Sequence, residues 1–458
     1  MADDRHRPRV HFLPPRGWMN DPNGLIHVGG EYHLFFQHNP VSPWWGKMIW
    51  GHAVSTDLVR WKDLPHGLCP DEPYDAGGVW SGCAVNHDGT PTIVYTGVAP
   101  QCQCLATSDD MVHWRKHPAN PVIASPPAEL RLTTDDFRDP YVWRQGKRWR
   151  MVVGSVDRGR YGAVLLYESK DLVHWTYRGI LARGDGKTTG RVWECPNFFR
   201  LGRKWVLIVS PTGLGRSIYF TGTLRGTTFT PELRGEIDPG GCLYAPQTFA
   251  DAAGRRILFG WLWERRSRRA VMRSGWAGVM SLPRVVTLGR DGRLRFAPAA
   301  EVETLRRHPR TVAPHELEPN QTLVQPALAG PCVEIAAELD AGRAERVGLS
   351  VRRSPRGAEQ TVIAYDRPAG VLRIDTTRSS TGRAPVKDVH ETPLALARAE
   401  PLGLRVFIDA SVVEVFANGR ACLTGRVYPT GRDSARAAVF ARGGPARVVS
   451  LEAWDLRP

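Results

Sequence analysis

Short apolar runs rich in β-branched and aromatic residues, separated by Gly, Pro and Asp turns, fill the chain up to about residue 298. Amphipathic helical periodicity is nearly absent there. Five runs look alike: His33-Leu34-Phe35-Phe36, Thr92-Ile93-Val94-Tyr95, Met151-Val152-Val153-Gly154, Val206-Leu207-Ile208-Val209 and Ile257-Leu258-Phe259-Gly260. Aligning Phe35, Val94, Val153, Leu207 and Leu258 gives spacings of 59, 59, 54 and 51 residues. A second echo accompanies the first. Ser55-Thr56-Asp57-Leu58-Val59-Arg60-Trp61 returns as Ser108-Asp109-Asp110-Met111-Val112-His113-Trp114 and as Ser169-Lys170-Asp171-Leu172-Val173-His174-Trp175. A period near 50 residues in a strand-rich stretch predicts a propeller of four-stranded blades, and five copies predict five blades. A large irregular β-sandwich is the alternative. Residues 299–312, with Glu301-Val302-Glu303-Thr304-Leu305-Arg306, read as a short helix or linker. Beyond them the repeat ends and apolar and polar residues alternate, as in Leu404-Arg405-Val406-Phe407-Ile408-Asp409, which predicts a two-sheet β-sandwich. The expected fold is all-β: a five-bladed β-propeller over 1–298, a linker over 299–312 and a C-terminal β-sandwich over 313–458.

Three acids recur at nearly one phase of this repeat. Asp21, in Trp18-Met19-Asn20-Asp21-Pro22-Asn23-Gly24, lies 14 residues before Phe35; Asp139, in Phe137-Arg138-Asp139-Pro140, lies 14 before Val153; Glu194, in Trp193-Glu194-Cys195-Pro196, lies 13 before Leu207. The second repeat has Trp80-Ser81-Gly82 at that phase and the fifth has Tyr244-Ala245-Pro246-Gln247. Equivalent positions on the first strands of propeller blades surround one axis, so the three acids are expected to face each other. An Asp in a turn often serves only its own backbone, but carboxylates gathered together repel, and such clusters belong mainly to metal or catalytic sites. No HExxH or calcium-loop pattern is present, and Arg138 beside Asp139 argues against a cation. Glycoside hydrolysis requires a carboxylate and a protonated acid flanking the bond, in a pocket lined by aromatic rings and amides. Asn20, Gln37, Trp45, Trp80, Ser81 and Arg138 are candidates for that lining.

Composition narrows the function further. The 458 residues exceed one ordinary core, and 16 tryptophans offer flat walls for sugar rings. The net charge of +15 comes from arginines spread along the chain, which does not point to nucleic acid. The eight cysteines are scattered with no CxxC pair, as expected of free thiols in a reducing compartment. The charged start, Met1 to Arg7, has no apolar run behind it, so neither a secretory signal nor a membrane span is expected. The expectation is a cytoplasmic protein with a small carbohydrate substrate and no cofactor, metal, nucleic-acid or membrane partner.

The motifs together resemble glycoside hydrolase family 32, the invertase, inulinase and levanase group. The resemblance runs through WMNDPNG at 18–24, FFQ at 35–37, WGH at 50–52, WSG at 80–82, FRDP at 137–140, WECP at 193–196 and WAGVMSLPR at 276–284, and continues into Asp409 to Asn418 and Arg426-Val427-Tyr428-Pro429. It implies a retaining β-fructofuranosidase acting on terminal fructose of sucrose or short fructans. By that resemblance Asp21 is the nucleophile, Glu194 the general acid and base, and Asp139 the transition-state stabiliser holding fructose hydroxyls. Burial is expected to keep the proton on Glu194. Levanase, inulinase and fructosyltransferase activities share the resemblance, and a non-catalytic sugar-binding protein is the reading from another class. Two places depart from the family pattern: Cys83 stands where a second serine follows WSG, and Asn197 where an aspartate follows ECP. Trp263 is expected either to line the leaving-group side or to pack between blades.

Overall fold

The computed structural model describes residues 4–458 except 99, 131, 133 and 134. The chain is all-β, with a propeller-like N-terminal part and a C-terminal sandwich. Five antiparallel sheets follow one another along the N-terminal part. Their first strands are Gly17–Val28, Gly78–His87, Phe137–Gln145, Trp193–Leu201 and Leu243–Ala250. Each first strand lies against the first strand of the next sheet, and the fifth lies against the first. Trp276–Ala277, from the far end of this part, pairs in parallel with Gly17 and Trp18 and ties the last sheet to the first. Gly278 follows at φ +82°, where a Cβ would sit 1.8 Å from the Met19 carbonyl oxygen, so only glycine permits this approach.

The five similar apolar runs lie in the second strands: Glu31–Asn39, Thr90–Val98, Arg148–Asp157, Lys204–Pro211 and Arg256–Leu262. Being covered on both faces, they read as continuous apolar segments rather than alternating ones. Large side chains between the sheets, among them Phe35, Trp50, Tyr95, Trp193 and Phe198, are almost fully buried. Each contributes on the order of 2–3 kcal/mol.

The second echo is a turn between third and fourth strands. In all three copies one aspartate oxygen accepts from two backbone N–H groups and the preceding serine hydroxyl: Asp57 from Val59, Arg60 and Ser55; Asp110 from Val112, His113 and Ser108; Asp171 from Val173, His174 and Ser169. The next residue, Leu58, Met111 or Leu172, takes φ of 64–66° and buries its side chain. The tryptophan indole then donates to that residue's carbonyl. The repeat is therefore a side-chain-capped turn, and the aspartates in it are structural.

One α-helix, Arg268–Ser274, interrupts the fifth sheet. No helix of the described residues is long and apolar enough to cross a membrane. Ala300–Leu305 forms a 3₁₀ turn. Arg306–Val312, expected in the linker, is instead a strand paired with the last strand, Ala446–Leu456. Four of its seven residues, Arg307, His308, Pro309 and Thr311, are exposed, so its apolar content is too low to signal a strand. The sandwich packs a seven-stranded sheet against a six-stranded one. Its core is aliphatic, including Val333, Ile335, Leu349, Val351, Ile363, Leu372 and Val439.

Buried charge joins the two parts. Arg284, fully buried, donates to Asp238 Oδ2 and to Glu414 Oε2, both at 2.8 Å. His11 bridges Asp409 Oδ2 at 2.9 Å and Glu414 Oε1 at 3.2 Å. Burial pulls the His11 imidazole down, but its hydrogen bonds to the two carboxylates outweigh this and push it up to about 9. Asp409 and Glu414 of the tail thus serve the junction between the two parts.

Candidate active site

Four of the five first strands share a local frame ending in proline: Asn20-Asp21-Pro22, Arg138-Asp139-Pro140, Glu194-Cys195-Pro196 and Tyr244-Ala245-Pro246. Each strand slips register against its neighbour here, as does the second sheet at Ser81. Proline, which cannot donate to the ladder, fits these bulges in four sheets, and Gly82 follows the bulge in the second. Asp139, Cys195 and Ala245 take φ of 64°, 48° and 46°, a costly conformation for residues with a Cβ. The bulges turn two successive side chains of each strand toward common ground, producing two levels.

The inner level holds Asp21, Ser81, Asp139 and Cys195. Ser81 Oγ donates to Asp21 Oδ2 at 2.8 Å, and Asn20 Nδ2 donates to Asp21 Oδ1 at 3.0 Å. Cys195 Sγ lies 3.4 Å from Asp21 Oδ2 and 3.6 Å from Asp139 Oδ2, while its backbone N–H donates to Asp139 Oδ2 at 2.9 Å. The outer level holds Trp80, Arg138, Glu194 and Tyr244. Arg138 donates from Nε and Nη2 to Glu194 Oε1 at 3.2 and 3.0 Å. Tyr244 OH donates to Glu194 Oε2 at 2.8 Å. Arg138 also lies over the Trp80 ring, 5.9 Å from its centroid.

The sequence phase was therefore close but one residue off for Glu194. By the proline frame Glu194 is equivalent to Arg138, and Cys195 to Asp139. The second-strand runs differ in length, so counting from them blurred a single-residue step.

Electrostatics separate the acids. Burial raises Asp139, and Glu194 and Asp21 add to this against Arg138, bringing it up to about 7. Burial also raises Asp21, with Ser81 and Asn20 opposing and Glu194 adding. The expectation that Glu194 is the buried acid is not met: 24% of its side chain is exposed and it is ion-paired to Arg138. Asp139, 5% exposed, is the buried one.

The expected lining residues divide by position. Asn20 receives the Trp18 indole N–H at 2.7 Å and passes its amide to Asp21. Gln37 is buried and does not face the opening; its amide donates to the Val79 carbonyl at 3.0 Å. Asn23, with its amide oriented to satisfy both ends, accepts from Gln37 Nε2 at 3.0 Å and donates to Ser81 Oγ at 3.2 Å. A chain of hydrogen bonds thus runs from Gln37 through Asn23 and Ser81 to Asp21. Trp45 is 53% exposed and meets Trp80 edge-on at 6.2 Å. Trp263 packs against Tyr244, with centroids 5.1 Å apart, and against Trp261, which continues to Trp18 and Trp44. These rings form an aromatic wall beside the acids.

Asn23, Cys195 and Tyr244 were not among the expected site residues. The shared proline frame was the signal that finds Cys195 and Tyr244. Both departures from the family pattern are accommodated. Cys83 is buried and its sulfur accepts from the Val142 N–H at 3.2 Å. Asn197, fully buried, donates to the Cys195 and Pro246 carbonyls at 3.1 and 3.2 Å and accepts from the Thr248 N–H at 2.8 Å.

Residues 11–298 match the glycosyl hydrolases family 32 N-terminal domain, and residues 301–455 match the family's C-terminal domain. The chain is 35% identical to a sucrose-6-phosphate hydrolase of Escherichia coli, over 98% of this chain and 94% of that protein. Fructan 1-exohydrolase IIa of Cichorium intybus superposes with a TM-score of 0.93 at 29% identity, covering 100% of this chain and 98% of that one. A Bombyx mori β-fructofuranosidase variant in complex with sucrose superposes with a TM-score of 0.82 at 30% identity, covering 99% and 95%.

Proposed function

This chain belongs to glycosyl hydrolase family 32 and is a glycosidase acting on fructosides, and from that premise we propose how its acids divide the reaction. Asp21 attacks the anomeric carbon of a terminal β-fructofuranosyl unit while Glu194 gives its proton to the leaving oxygen. The bond from the anomeric carbon to that oxygen breaks as the bond to Asp21 forms. Water then attacks the fructosyl-enzyme, Glu194 takes a water proton, and Asp21 leaves, so configuration is retained. Asp139 holds fructose hydroxyls and supports the oxocarbenium-like transition state. Asn20, Trp80, Ser81 and Arg138 position substrate or acids, Trp45 offers an exposed ring at the rim, and Gln37 acts from behind through Asn23.

The observation carrying this reading is the two-level arrangement: Asp21 held by two donors below, Glu194 held by Arg138 and Tyr244 above. Five blades around one axis, formed by residues 1–298, are part of the proposal and are supported by the closed succession of first strands. So is a sandwich beginning at Arg306. Cytoplasmic residence is proposed too, supported by eight unpaired cysteines. Sucrose or a short fructan is the proposed substrate, with levan, inulin or fructosyl transfer as alternatives on the same machinery.

The test is product analysis on sucrose, sucrose 6-phosphate, inulin and levan in parallel, with the first anomer followed by NMR. Asp21→Asn and Glu194→Gln should each lose on the order of 10³-fold or more in kcat with folding intact. Full activity in either variant, or inverted fructose as the first product, would overturn the assignment.

A further inference from the structure

The six-stranded sheet of the sandwich turns one face to the core, through Leu349, Val351, Ile363, Leu372, Ile374 and Val439. The opposite face carries a cleft of about 460 Å³. Its floor is made of small residues, Ser350 and Ala364, and arginines rise around it. Two of these are neutralised: Arg346 by Asp366 at 2.9 Å and Arg373 by Glu391 at 2.5 Å. Arg353, Arg356, Arg378 and Arg442 have no carboxylate partner among the described residues, and Asp375 is the one acid lining the cleft.

Four guanidinium groups thus share one hollow with a single acid, Asp375, and burial pulls Arg442 below the usual arginine range. Arg442 is held over the Phe440 ring and bonded to the Gln321 carbonyl at 2.7 Å, and Arg353 to Gln360 at 2.5 Å, so neither can swing freely into solvent. Beneath them Ser350 is 3% exposed, and its hydroxyl and the Nε of Arg353 are sealed from solvent, so the donors open to the cleft are the terminal guanidinium nitrogens.

We propose that this cleft binds a phosphate group, either the free ion or a phosphate monoester, with Arg353 and Arg442 as principal donors. Guanidinium forks match the tetrahedral oxyanion, and a doubly charged anion suits several uncompensated cations better than a single carboxylate does.

Calorimetric titration of the full chain with inorganic phosphate, and separately with glycerol phosphate, tests this at chloride-matched ionic strength. Saturable one-to-one binding is expected, weakened at least tenfold in Arg442→Gln and in Arg353→Gln, with sucrose hydrolysis unchanged. Arg356→Gln, at an exposed position, should weaken it severalfold and serves should either of the others fail to fold. Tighter binding of glycerol phosphate identifies an ester as the ligand; tighter binding of phosphate identifies the free ion. No saturable heat with either, or variants that bind as the parent does, would overturn the proposal. Loss of sucrose hydrolysis is read separately, so failure here leaves the hydrolase reading untouched.

Discussion

Arg138 and Glu194 meet through a single carboxylate oxygen: both guanidinium donors, at 3.2 and 3.0 Å, point to Oε1. In the proposed reaction the proton for the leaving group then sits on Oε2, the oxygen facing Tyr244. That hydroxyl stands 2.8 Å from Oε2 and 2.9 Å from the Ser210 carbonyl. Burial and the Glu194 charge push Tyr244 far above the ordinary phenol range, so it keeps its proton. It can donate to ionised Glu194, or donate to Ser210 and accept from the protonated acid.

On the proposed roles Tyr244 is a positioning residue for Glu194. Tyr244→Phe should lower kcat by roughly ten- to a hundredfold, the value of a hydrogen bond to a charged group. The loss should fall on kcat with KM little changed and the melting temperature held. A fall in melting temperature that accounts for the lost activity would show a merely structural role.

Asp139 is expected to oppose stability at neutral and higher pH. Its folded value, about 7, lies above its ordinary value of 3.8, so the folded state holds this proton more tightly than the unfolded chain. Stability then falls as pH rises from about 4 through 7. Asp139→Asn should abolish most activity yet melt higher than the parent at pH 8, by up to about 4 kcal/mol, with the gain vanishing near pH 4. Thermal melts across that range check it, and an equal shift at both ends would contradict it.

His11 moves stability with pH in the same direction, but because its charged form is paired and not because its charge is buried. Its folded value, near 9, lies above the ordinary 6.5, and it is a cation when protonated. Its pairing with Asp409 and Glu414 therefore stabilises fully below pH 6.5 and is lost as pH rises through 9. His11→Leu should cost on the order of 3–5 kcal/mol at pH 6, because it leaves buried carboxylates short of a partner. The cost should shrink toward pH 10. Denaturant melts at the two pH values test this.

Asn197 uses both ends of its amide, giving hydrogen bonds to two carbonyls and accepting from Thr248. Asn197→Asp would aim a carboxylate at the Cys195 and Pro246 carbonyls. A loss of about 2–4 kcal/mol is expected, larger at pH 8 than at pH 5, where a protonated acid can still donate. A neutral result at pH 8 would mean the bulge beneath Glu194 rearranges freely.

Much of this molecule was legible in its residues. Apolar runs such as Val206–Val209 recur because each second strand is covered on both faces, and the Ser-x-Asp echo recurs because one capped turn is reused. Burial and local turn chemistry are written directly into residue type, so the all-β class and the three acids could be read along the chain. Which acid is buried could not. That depended on bulges setting Glu194 one step from Asp139's phase and on Arg138 reaching across from a neighbouring sheet, contacts spanning 56 residues. Tyr244, brought from the fifth sheet to an acid of the fourth, and the tail's Asp409 and Glu414, drawn to His11 and Arg284, likewise owe their roles to partners distant in sequence. A titratable group's behaviour is set by its solvent access and its nearest charges, and only the closed tertiary structure decides either.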